Sequence, residues 1–183
     1  MGSAFRPGER LDPAALAPSL AASVTPVRDA LHILTGEGLV ETWPGGGFHM
    51  PALDEPALCD MYDWSAELLM LAVRNSRHAA GATGVSGPDG GSAAGRVSDL
   101  FMLIARRSPN SEHARAVESL NARMNAVRLA EPKVLAGTEE ELSILADAVL
   151  RDERDRLRRL IPAYHRRRHS AAAAIVRALY RGG

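Results

Sequence analysis

Two short helices with almost no chain between them constrain this sequence more than anything else in it. Ser23-Val24-Thr25-Pro26-Val27-Arg28-Asp29-Ala30-Leu31 opens the second of them. Ser23 or Thr25 can cap that helix through a side-chain oxygen, and Pro26 fits the first turn, where a missing N–H is no loss. Val27, Ala30, Leu31 and Leu34 fall on one face at helical spacing, and Arg28 points away from it. Upstream, Leu11 to Leu20 reads as a short helix, with Asp12 as its cap and Leu16 and Leu20 as its apolar side. Only Ala21-Ala22 links the two. Two helices joined by so tight a turn, the second opening with small polar residues and an arginine, make a helix-turn-helix pattern.

The next residues add a hairpin. Gly36-Glu37-Gly38 ends the second helix, as glycine does at helix C-termini. Leu39 to Trp43 reads as a strand, Pro44-Gly45-Gly46-Gly47 as a turn and Phe48-His49-Met50 as the return strand. A hairpin placed directly after a recognition helix is a wing.

These residues, taken in order, resemble a GntR-type transcriptional regulator. The resemblance rests on Arg6-Pro7-Gly8-Glu9-Arg10-Leu11, Leu16-Ala17, Ser23-x-Thr25-Pro26-Val27-Arg28-Asp29-Ala30-Leu31, Glu37-Gly38-Leu39-Val40 and the glycine-rich wing. It implies a winged helix-turn-helix joined to a helical domain that dimerises and senses a small molecule. By the same resemblance Ser23, Thr25, Pro26 and Arg28 seat the recognition helix on DNA, while Gly46 and Gly47 shape the wing. Val24 and Gly46 stand where the family often has basic residues. The family also has a helix ahead of Arg6 to Leu11. Only Met1 to Phe5 precede that stretch here, so the N-terminal domain is expected to lack its first helix.

Charge argues against the simplest form of this function. Residues 1–56 hold three arginines (Arg6, Arg10, Arg28) and seven acids, a net charge of −4 on the part that should meet phosphates. DNA affinity normally rests on lysine and arginine displacing counterions. The chain as a whole is neutral, with 22 basic and 22 acidic residues. Its one cysteine, Cys59, allows no internal disulfide and is expected to be a buried structural thiol. No apolar stretch reaches membrane-spanning length and no signal peptide opens the chain, so a cytoplasmic protein is expected.

Beyond a linker at Pro51 to Pro56 the periodicity is helical, giving a mainly α fold whose second half, 53–183, is an antiparallel bundle after a winged domain at 1–52. Leu58, Met61, Tyr62, Ser65, Leu68, Leu69, Ala72 and Val73 mark one face of a long helix ending near His78. Residues 79–95 read as a flexible Gly/Ala/Ser loop. Helices follow over 96–107, with Val97, Leu100, Phe101 and Ile104 inward, and over 112–129, with Ala116, Leu120, Met124 and Val127 inward. Thr138-Glu139-Glu140-Glu141 reads as a capping box opening a helix to Leu150. Arg151 to Ile161 continues helical, Pro162 imposes a break or kink, and Arg166 to Tyr180 makes the last helix.

This half is similar to the FCD-like ligand domain of the FadR branch of that family, on Phe101-x-x-Ile104-Ala105-x-x-Ser108-x-Asn110, the helix around Arg123 to Arg128, and Glu141-Leu142 through Ala148. Many members of the branch hold a metal on one aspartate and three histidines. Ser98, Met102 and Leu142 stand at three of those places and only His165 remains, so no metal or other cofactor is expected. His165 and His169 sit among arginines and read as a charged surface. If the bundle binds an organic acid, arginines on otherwise apolar helices are its partners through bidentate pairing, with Arg74, Arg123 and Arg128 as candidates. The arginine-rich run 151–168 reads as a solvated face or a subunit contact. No catalytic constellation is present.

The function expected is operator binding by a homodimer, modulated by a small effector in the helical domain. The alternative is a dimeric small-molecule-binding or interaction protein of the same family that does not bind DNA on its own.

Overall fold

A computed structural model describes residues 5–76 and 91–181. The fold is mainly helical with one small antiparallel sheet. The chain divides into two compact units, one running to Leu53 and taking in Leu179–Arg181, the other Asp54–Ala178.

The first unit is a winged helix-turn-helix. Strand β1 is Arg10–Leu11, helix α1 Pro13–Leu16 and helix α2 Val24–Gly36; β2 is Glu41–Thr42 and β3 Phe48–His49. Asp12 caps α1 by accepting from the Ala14 N–H at 3.0 Å. The expected single helix from Leu11 to Leu20 does not form. Pro18 has no N–H to continue the ladder, so α1 stops at Leu16 and Pro18–Leu20 makes a 3₁₀ turn. Leu20 is 61% exposed instead of packed. Ala21 turns the chain with a left-handed φ of 50°, which lets the Ala22 N–H donate to the Ala17 carbonyl at 3.1 Å.

Ser23 precedes α2 in extended conformation, but neither it nor Thr25 makes the expected side-chain cap. Val27 and Leu31 enter the core, Leu34 packs against it, and Ala30 is exposed, one position off the buried face. Gly38, with φ 71°, closes α2, and the Leu39 N–H donates back to the Leu34 carbonyl at 2.9 Å. The two wing strands are shorter than the runs read from sequence. β1 joins them as a third, in the order β1-β3-β2, with Arg10 opposite His49 and Leu11 opposite Phe48. The core is Leu11, Ala17, Val27, Leu31, Val40 and Phe48.

The second unit is a helical bundle. Helix α3 spans Glu55–Asn75, α4 Ala93–Arg106, α5 Ser111–Ala130, α6 Thr138–Leu150, α7 Arg154–Ser170 and α8 Ala172–Arg181. Helix α3 packs against α4, α5 and α7; α4 lies along α5, and α6 along α7. Pro56 is not in the linker but in the first turn of α3, behind an Asp54 cap that accepts from the Ala57 N–H at 2.8 Å. All eight residues of the expected α3 face are buried. His78 and the greater part of the expected loop, 79–90, lie outside the described residues; the loop's last residues, 93–95, are already helical behind a Ser92 cap.

In α5, Val117 takes the buried place expected of Ala116. The expected capping box is absent. Left-handed Gly137 (φ 67°) precedes α6, Thr138 is already helical, and no side-chain cap bond forms. The chain breaks at Arg151 to Glu153 instead of continuing, and Pro162 lies inside an unbroken α7. The last interruption falls at Ala171, so the expected helix from Arg166 is divided between α7 and α8. Cys59 is half-buried, not buried. Among the described residues no helix is long and apolar enough to cross a membrane.

Candidate nucleic-acid interface and effector pocket

In the first unit the start of α2 is a polar, accessible surface. Ser23, Thr25, Pro26 and Arg28 are all exposed on its first turns. Arg6, Arg10 and Arg28 are exposed too, and none forms an ion pair among the described residues. The wing tip is Gly45, Gly46 and Gly47, with φ of 107°, 88° and 98°. Three successive residues in that region need glycine, because a Cβ there crowds the backbone. A Cβ on Gly47 would also stand 3.5 Å from Arg10 Nε, so β1 carries its arginine to the side of the wing. Sequence alone gives Arg10 no role, because β1 is two residues long and its partner strand lies forty residues on. Trp43 stacks on His49 with ring centres 4.1 Å apart and donates to Glu41 Oε1 at 2.8 Å, which stiffens the hairpin base.

In the second unit the three candidate arginines separate. Arg74 is exposed, 3.7 Å from Glu67, and Arg123 is exposed. Arg128 is 3% exposed. Its Nη1 donates to Ser98 Oγ at 2.7 Å and its Nη2 to Asn121 Oδ1 at 2.8 Å, and its guanidinium lies 5.1 Å over the Phe101 ring. Asn121 Nδ2 in turn donates to the Ser98 carbonyl at 3.1 Å. Every direct partner of this buried cation is neutral, and burial pushes its pKa down.

Beside it lies a denser network. Arg168 is 1% exposed, its Nε donating to Glu131 Oε2 and its Nη1 to Glu141 Oε2, both at 2.8 Å. The Tyr62 hydroxyl donates to Glu131 Oε1 at 2.9 Å. The Arg168 guanidinium sits 3.2 Å from the centre of the Tyr164 ring. The Tyr164 hydroxyl is buried without a hydrogen bond among the described residues, and burial drives its pKa up.

His165 is not on a charged surface. It is buried, with Nδ1 2.7 Å from the Ile161 carbonyl and Nε2 3.0 Å from Ser65 Oγ. The carbonyl can only accept, so Nδ1 carries the proton and the Ser65 hydroxyl donates to Nε2. Burial pushes this imidazole down to about 4. His169, one turn on, is exposed and 3.8 Å from Asp63. The arginine run divides likewise: Arg168 is inside, while Arg156 pairs with Asp147 and Glu153 at 2.9 and 2.8 Å.

A metal does not fit these residues. Ser98 Oγ accepts from a guanidinium, Leu142 offers no donor, and both nitrogens of His165 are engaged. Among the described residues no group of three His, Cys, Asp or Glu side chains could hold a metal ion. What the bundle does offer is a small cleft of about 10 Å³, room for one water, lined by Val97, Leu142, Arg128, Glu131 and Arg168 among others. Sequence points to Arg128 through its place on an apolar helix face. Arg168 and Glu131 carry no such signal, because their partners are 27 to 69 residues away.

Comparison with known proteins bears on both units. The profile of the bacterial regulatory proteins of the gntR family matches residues 1–50. The Nta operon transcriptional regulator of Aminobacter aminovorans is 44% identical over 70 residues, covering 38% of this chain and 33% of that one. The match thus spans about a third of the curated relative's length. The fold is similar to E. coli McbR/YncC, with a TM-score of 0.63 at 19% identity over 93% of this chain and 89% of that one. It is also similar to a putative transcriptional regulator GntR from Rhodococcus sp. RHA1, with a TM-score of 0.56 at 15% identity over 93% and 89% of the two chains.

Proposed function

We propose that the protein is a transcriptional regulator that binds operator DNA as a homodimer, on the footing that the gntR-family profile matches residues 1–50. The carrying observation is the start of α2, where Ser23, Thr25, Pro26 and Arg28 are all exposed. A helix of this kind lays its N-terminal residues on base edges and phosphates, and two copies read a two-fold symmetric site. Arg28 contacts DNA, and the glycines of the wing, Gly46 and Gly47, let the hairpin approach the backbone closely.

The effector belongs in the bundle, against Arg128. A buried guanidinium with only neutral partners favours an anion, and the orphaned Tyr164 hydroxyl nearby is a ready donor. An organic acid is the ligand a guanidinium selects. Its binding shifts the dimer between arrangements that fit or misfit the operator.

Fluorescence anisotropy against DNA from the gene's own upstream region, repeated across salt, tests the reading. Selective binding should weaken steeply with salt, and Arg28→Ala should lower the affinity and flatten the salt slope by about one unit. Binding no tighter than to random DNA would sink it. The net charge of −4 on residues 1–56 favours the second reading in that case, a family member that does not bind DNA on its own.

A further inference from the structure

We propose, on the strength of the homodimer reading above, that the outer face of α3 and α7 joins the two copies, each laying its α3 over the α7 of the other. The two helices pack side by side. They run in opposite directions: Asp63 lies beside His169 and Ser65 beside His165, while Val73 and Leu157 line one small cleft further along. Their inner faces are spent on the bundle core. Outward, α3 presents Trp64 and Leu71, two turns apart and 53% and 41% exposed. A large apolar pair in one row of a helix is costly in water, and tryptophan is a residue that interfaces favour at their centre.

Charge names the occupant. From Asp60 to Arg74 the exposed ionic side chains of α3 are Asp60, Asp63, Glu67 and Arg74, a net charge of −2. On α7 they are Asp155, Arg158, Arg159 and Arg166, a net +2 with His169 neutral. Arg159 and Arg166 form no ion pair among the described residues. A face that is acidic along one helix and basic along its neighbour complements a second copy of itself. A two-fold axis running between the helices, along their length, sets each α3 over the α7 of the other copy, so the acidic row meets the basic row twice. An axis across the helices would set α3 on α3 and α7 on α7, like charge against like. The first axis also keeps every residue at its own level along the pair. Glu67, just past Ser65 on α3, therefore comes within a turn of Arg166, the neighbour of His165, on the other copy.

Sedimentation equilibrium of the full chain over a concentration series tests the face. The parent should dimerise. Trp64→Ala should raise the dissociation constant at least about tenfold, because the side chain is lost on both sides of the axis. Glu67→Arg and Arg166→Glu should each weaken the dimer as well, and the two together in one chain should restore it, since the exchange rebuilds both contacts with their signs reversed. Circular dichroism verifies that each variant is folded. A dimer untouched by Trp64→Ala and Glu67→Arg would keep the homodimer reading and overturn this face. So would a charge-exchanged chain that dimerises no better than the single variants. A parent that stays monomeric at every concentration would overturn both. Should Arg166→Glu fail to fold, Trp64→Ala and Glu67→Arg decide by themselves.

Discussion

Arg168 is the side chain whose loss should cost most. It is buried at 1%, and its two carboxylate partners sit on the turn after α5 and on α6. A buried pair is poor evidence of net stability, but removing one partner strands the other charge. Arg168→Met should therefore cost about 3–5 kcal/mol in urea unfolding followed by circular dichroism. Adding Glu131→Gln should recover a good part of it, because the stranded carboxylate is then neutral. If the double variant is no better than the single, the cost comes from packing over Tyr164 and not from the charge. His165 tests burial in the same region through pH. Burial holds its folded pKa at about 4 against an ordinary 6.5, with Arg168 and Arg128 adding to the effect. The unfolded chain takes up this proton below pH 6.5 and the folded chain resists until about 4. The histidine's contribution is thus complete above pH 6.5 and is lost as the pH falls to about 4, amounting to roughly 3 kcal/mol at most. Between those values the parent should lose stability faster than His165→Gln, and parallel pH curves for the two would refute it.

At the scale of the element, Pro162 gives the sharpest prediction. Eight helical residues precede it in α7 and eight follow, ending at Ser170. Its missing N–H and its ring disfavour the helix interior, so Pro162→Ala should stabilise the protein by about 2 kcal/mol in the same urea assay. This helix also shows what the sequence could and could not convey. In α3 every apolar position repeats at helical spacing, and all eight fall inside. In α7 the buried positions are Leu157, Ile161, Tyr164, His165 and Arg168, the same spacing, but ending on a histidine and an arginine, types usually found at the surface. The partners that make them tolerable there, Ser65, Glu131 and Glu141, come from distant parts of the chain, where no local pattern marks them. Helix α2 is legible because its glycine stop and proline start are local. Arg10 at the wing is not, since its surroundings come from a strand far away in sequence.

For the molecule as a whole, the two units have cores of very different size. The first rests on six buried residues and two-residue strands, with Leu20 at 61% and Ile33 at 65% exposure. A unit near fifty residues with so small a core is marginal. The second buries side chains from all of its helices. We expect the first unit to melt at a lower temperature. The two tryptophans separate them, Trp43 in the wing and Trp64 on α3. Trp64→Phe leaves Trp43 as the only fluorophore of its kind, and its transition should precede the loss of helical circular dichroism, which the bundle dominates. Ala21 sharpens the assay. Its left-handed φ of 50° costs a residue with a Cβ about 1 kcal/mol, so Ala21→Gly should raise the early transition by roughly 4–8 °C and leave the late one in place. Coincident transitions by both probes would mean that the units unfold together. Operator DNA then ties stability to function. Binding at about 100 times the dissociation constant adds roughly 2.7 kcal/mol to whatever it binds. A regulator that reads DNA through α2 should show that gain in the Trp43 transition, and the gain should vanish in Arg28→Ala.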